Sequence, residues 1–168
     1  KQGDGIVKKV AITLSGRDID RLLREVEDWK NWQKQKTDEL LEKLAILGAS
    51  TASIRFSRAI YTGLKDVTVT VEPIGNGWLV KAEGQSVLFL EFGSGITYGE
   101  GHPEAAEYGM GPGTYPQGKG HWDDPKGWYL PKDKGGGHPY GNPPAMAMYE
   151  ARTAIEQELT RIVKEVFG

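Results

Sequence analysis

The sequence has no cysteine. Disulfides and thiolate metal sites are therefore excluded, and the redox compartment stays open. It also has no excess of charge of either sign: 21 Lys and Arg stand against 23 Asp and Glu, a net charge of -2. Proteins that wrap nucleic acid carry a basic excess, so wrapping is not expected here. No apolar run approaches membrane-spanning length, and the first residues do not read as a signal peptide. This composition points to a soluble, non-secreted globular protein, and 168 residues suit one domain that buries a core without staples.

Glycine and proline are present, but unevenly. Residues 93–142 hold 14 of the 23 glycines and six of the nine prolines, so regular structure is not expected there. So long a stretch within a compact domain is read as functional. Its aromatics, Tyr98, Tyr108, Tyr115, Trp122, Trp128, Tyr129 and Tyr140, are too many for a simple linker.

Around this stretch the pattern is ordered. Residues 6–14, IVKKVAITL, are rich in β-branched residues and favour a strand. Ser15 then stands as an N-cap with Asp18 three residues on. Ile19, Leu22, Leu23 and Val26, and again Leu40, Leu41, Leu44 and Leu47, recur at helical spacing. The expected helix covers 17–47, roughly 45 Å, with Gly48 as its stop. Its middle is polar but carries Trp29 and Trp32, which either lie over the core edge or meet another subunit.

Residues 53–92 read as an antiparallel meander. Val67, Val69 and Val71 alternate with Thr68, Thr70 and Glu72, GNG at 75–77 turns the chain, and SVLFLEF closes the sheet as its most buried strand. Asn142 is expected to cap a final helix over 143–167, with Pro143 in the first turn and a stripe from Met148 to Val166. The expected fold is α+β, a three- to five-stranded antiparallel sheet packed on two helices, in a single domain 1–168.

Candidates for chemistry are weak. His102, His121 and His138 share the loop with acids, yet none has the spacing of a metal site. Ser94 follows the apolar run without a nucleophile elbow, and GMGPG at 109–113 has no phosphate-loop ending. Glu91, an acid in an apolar run, needs a partner: a backbone N–H at the Gly-Ser-Gly turn, Arg55 or Arg58. No catalytic residue, cofactor or metal is expected. A metal- or serine-dependent hydrolase using the loop histidines stands as the alternative from another class.

FLEFGSG (89–95) resembles a signature of the head–tail joining, or tail-completion, family of long-tailed double-stranded DNA phages. So do YTG at 61–63 and GNPPAMAMYEA at 141–151, although the family's Asp before Thr-Gly is here Tyr61. The resemblance implies a structural virion protein of the neck, assembled in the host cytoplasm. It would form a homo-oligomeric ring, hexameric or dodecameric, through which genomic DNA passes without sequence-specific binding and with no membrane involved. It would join the head connector to the tail, beside a head-completion (stopper) protein, tail terminator or tail tube, or act itself as the tail terminator. On that reading the surface meeting neighbours is Trp29, Trp32, Glu91, Phe92, Gly93, Tyr98, Tyr108, Tyr115, Trp122, Trp128, Tyr129 and Tyr140.

Overall fold

A computed structural model describes residues 15–95, 101–108 and 141–168. The expected strand at 6–14 and most of the glycine-rich stretch lie outside the described residues. The fold is α+β. Its elements are α1 (Gly16–Arg58), β1 (Thr68–Ile74), β2 (Gly77–Glu83), α2 (Val87–Phe92), β3 (Ser94–Gly95), β4 (Gly141–Asn142) and α3 (Ala147–Phe167). The chain divides into two compact units, Lys1–Asp38 and Glu39–Gly168.

In the first unit, α1 begins as expected. Asp18 donates its N–H to the Ser15 hydroxyl at 3.4 Å, and that hydroxyl in turn donates to the Asp18 carboxylate. The apolar residues that follow, Ile19, Leu23, Val26, Trp29 and Trp32, are all exposed.

The second unit holds the core. α1 buries Leu44, Ala45, Gly48, Ala52 and Phe56 there. Ala52, Phe56 and Ala59 cluster with Leu90, Ala147 and Ala151, while Val69 and Ala82 of the hairpin pack on the same cluster. Leu44 forms a second cluster with Ile162 and Val166. β1 and β2 pair from Thr68↔Glu83 to Ile74↔Gly77, and Gly75 makes the expected turn at φ +45°.

Three expectations need correction. First, α1 does not stop at Gly48 but runs to Arg58. An added Cβ at Gly48 would come within 2.8 Å of Ile155 Cδ1, so this glycine permits close helix packing within a continuing helix. Second, the meander reduces to one hairpin: 53–58 is helix, and VLFLEF (87–92) is α2. A short apolar run fits a buried helix turn as well as a buried strand, so period alone does not separate them. Here Asp66 decides the matter by accepting the N–H groups of Gln85 (2.8 Å) and Ser86 (2.9 Å), and Leu90 N–H then closes the turn on Ser86 O at 2.9 Å. Among the described residues, the three- to five-stranded sheet is thus two separate two-stranded ladders, β1–β2 and β3–β4. Third, α3 starts at Ala147, four residues later than expected. Ala145 N–H bonds back to Leu90 O and Met146 N–H to Glu91 O, with Met146 at φ 51°. Asn142 spends its amide on Phe89 O (2.8 Å) and caps nothing.

Candidate functional site

α2 delivers Glu91 to the start of α3. The first N–H groups of a helix have no partner within it, and the Glu91 carboxylate accepts two of them, from Met148 at 2.9 Å and Tyr149 at 3.0 Å. A negative group there also meets the positive end of the helix dipole. Glu91 is 5% exposed, so these bonds satisfy a charge that water does not reach. Its partners are neither the Gly-Ser-Gly turn nor an arginine; Arg55 pairs instead with Glu150 at 3.1 Å.

His102 completes the node. Glu104 donates its N–H to His102 Nδ1 at 3.1 Å, which leaves the ring proton on Nε2, and Nε2 donates to Glu91 Oε1 at 3.1 Å. The buried ring lies 4.5 Å from Phe92 and edge-on to Tyr149 at 5.4 Å. Glu104 pairs with Arg152, which also covers the Tyr149 ring at 5.3 Å. Residues 101–108 are thereby tied to both α2 and α3. Both nitrogens of His102 are committed, so this histidine serves neither as base nor as ligand in this arrangement.

Glycine is required at position 93. Its φ is +77°, and an added Cβ would lie 2.8 Å from Asn142 O and from Pro144 N. Beyond it, Ser94 and Gly95 pair with Asn142 and Gly141, and Ser94 Oγ donates to Asn142 Oδ1. The FGSG segment and the NPP segment are therefore one structure, although 48 positions apart.

A second polar anchor lies at the other end of α2. The Ser86 hydroxyl and the N–H groups of Gln85 and Ser86 converge on Asp66 and hold its carboxyl down at about 2, the hydroxyl contributing most.

The expected interface residues divide sharply. Trp29 (58% exposed), Trp32 (45%) and Tyr108 (63%) are on the surface, Tyr108 with its ring 5.6 Å from Phe92. Glu91, Phe92 and Gly93 are not; they are buried within the chain, where the helix cap and the tight turn need them. Tyr98, Tyr115, Trp122, Trp128, Tyr129 and Tyr140, with His121 and His138, lie outside the described residues. Sequence reasoning missed Asp66, the bond from the Asn142 amide to Phe89 O and the pairing of His102 with Glu91. The one signal for the last was an acid without a visible partner in an apolar run.

Among the described residues no group of three His, Asp or Glu could hold a metal ion, and no helix is long and apolar enough to cross a membrane. No known protein family, curated protein or solved structure matches the chain.

Proposed function

We propose that this chain is a structural subunit of a phage neck, a head–tail joining or tail-completion protein that assembles into a ring around the DNA path. One observation carries the reading. The two segments that resemble the family's motifs, residues 89–95 and 141–151, fold into a single unit held by Glu91, Gly93 and Asn142. A motif whose separate parts meet in space is a folding device, and the sequence between them runs from 96 to 140. The exposed Trp29 and Tyr108 add aromatic anchors of the kind that interfaces favour. Subunits of such a ring meet through two different patches, because a rotation closes a head-to-tail contact. The near-neutral charge suits a channel that lets DNA slide, since dense Lys and Arg contacts to phosphate would retain it.

Imaging of particles from cells expressing a tagged copy tests this. The expected result is density for the chain between head and tail, in several symmetric copies. Mature particles that lack the chain altogether overturn the reading.

A further inference from the structure

Within the first unit, every apolar residue between Arg17 and Trp32 keeps to one side of α1. Counted as heptads, Ile19 and Val26 take the a positions and Leu22 and Trp29 the d positions, with Leu23 at e and Trp32 at g. The b, c and f positions there hold only Asp20, Arg21, Arg24, Glu27, Asp28 and Asn31. Gln33 and Lys36 take the next a and d, so the apolar seam is two heptads long. The helix is already formed along it: α1 is continuous from Gly16, and no proline or glycine falls within 17–38. Ile19, Leu23, Val26 and Trp29 are nonetheless exposed, and Leu22 is half-buried. A contiguous exposed apolar row of this kind marks an interaction surface. The charges at its rim say what fits it. Glu25 stands at g and Lys30 at the following e, both exposed, and neither has a hydrogen-bond or ion-pair partner among the described residues. Five positions apart, they lie on opposite flanks of the seam and do not reach each other.

We propose that residues 17–32 of α1 pair side by side and in parallel with the same residues of a second copy of this chain. In a parallel pair a g position faces the following e position of the neighbour. Glu25 then meets Lys30 of the partner subunit, and Lys30 meets Glu25 of the partner subunit, while the a and d residues close the seam. In an antiparallel pair g faces g and e faces e, so neither charge meets its opposite. The surface is therefore complementary to itself, and in one orientation alone. A partner of other chemistry does not call for that property. The Glu25 flank and the Lys30 flank are also two different patches, so the contact can repeat around an axis and close by rotation. The inference gives the ring reading a contact, and rests on that reading only for the number of copies.

Exchanging the charges tests it without touching the apolar row. Glu25→Lys alone and Lys30→Glu alone each set like charges across the seam. Sedimentation across a concentration series is expected to show self-association of the unmodified chain, and a dissociation constant roughly tenfold weaker for either variant. An equimolar mixture of the two variants is expected to associate as tightly as the unmodified chain, because each supplies the charges that the other lacks. The double variant E25K/K30E is expected to do the same. An unmodified chain that is monomeric throughout the series overturns the proposal, and so does a mixture no tighter than its parts. Orientation is read by cross-linking, since the chain has no cysteine of its own. Ile19→Cys is expected to give a disulfide-linked dimer on mild oxidation, because a parallel pair brings the two copies of this position to the roughly 6 Å that a disulfide spans. An antiparallel pair sets position 19 against Trp29 and holds the two copies about 15 Å apart. Failure to link in a chain that still associates overturns the parallel arrangement. These readouts are made on purified protein, so they fail or succeed independently of whether particles contain the chain.

Discussion

Two stretches of one helix carry the same pattern and meet different fates. Leu23 is 63% exposed and Leu44 is 8% exposed, although both belong to apolar stripes of similar spacing on α1. Periodicity states which face of a helix is apolar. It does not state what, if anything, lies against that face. Within Glu39–Gly168 the stripe has Leu90, Ala151 and Ile162 to pack on, so its residues act through stability. Within residues 16–38 the stripe runs through Trp29 to Trp32 and is exposed, so its residues are expected to act through association.

The sharpest way to break this comparison is to damage the packed unit. Glu91→Ala leaves two N–H groups of α3 and the His102 ring N–H without an acceptor in a buried place. The expected loss is about 4 kcal/mol in urea unfolding, because breaking a buried network strands every remaining partner. Glu91→Gln keeps one acceptor oxygen and is expected to lose about half as much. Phe56→Ala, at 4% exposure, is expected to cost about 3–4 kcal/mol by the same measurement. A change below about 1 kcal/mol in either alanine variant means that the core sits elsewhere.

Acid probes the same unit more gently. Asp66 has its carboxyl held at about 2, well below its ordinary value, by Ser86 and the Gln85 N–H. The ionised form is the one that the fold stabilises, so this contribution is complete above about pH 4. It is lost as pH falls toward 2. The urea midpoint is therefore expected to drop between pH 4 and pH 2, and Asp66→Asn is expected to lower the midpoint at pH 6 and to flatten the drop. An equal drop in the variant assigns the acid sensitivity to other carboxylates.

The architecture was legible where a local rule acted alone. Ser15 capping α1, the Gly75 turn and the apolar stripe of α3 all follow from neighbours a few positions apart. What stayed illegible depended on distant partners. VLFLEF became a helix where Asp66, some twenty residues earlier, holds the N–H groups of Gln85 and Ser86 at its entrance. Asn142 and Pro143 looked like a helix start, yet the cap came from Glu91, 57 positions away from Met148. Gly48 looked like a stop because glycine's role against Ile155 is invisible without α3. The site fared likewise: Glu91 was singled out as needing a partner, and that partner could not be named from spacing.

A smaller effect separates the two glycines of α1. At Gly48 an added Cβ meets Ile155 Cδ1 at 2.8 Å, while at Gly16 it meets nothing within 4 Å. Gly48→Ala gains about 1 kcal/mol of helix propensity but must displace the Ile155 Cδ1 methyl, and the two are expected to offset to within about 0.5 kcal/mol. Gly16→Ala has only the gain, reduced because the site is the first helical residue. A stabilised Gly48 variant means that Ile155 rotates away freely, and that the close approach of α1 and α3 there is loose.

The smallest expected effect on folding is at Leu23 and Trp29, and it is the most informative one. Each is more than half exposed, so Leu23→Ala and Trp29→Ala are expected to move the unfolding free energy by no more than about 0.5 kcal/mol. If this stripe meets a neighbouring subunit, the same two changes weaken self-association, because truncating a buried aromatic anchor costs about 2 kcal/mol or more, roughly thirtyfold in the dissociation constant. Sedimentation across a concentration series reads that shift while circular dichroism holds the fold constant. Loss of stability without loss of association places the stripe inside the folded subunit and makes the two stretches of α1 alike. Loss of association with an unchanged fold makes them different in kind, one built to hold the chain together and the other to hold its neighbour.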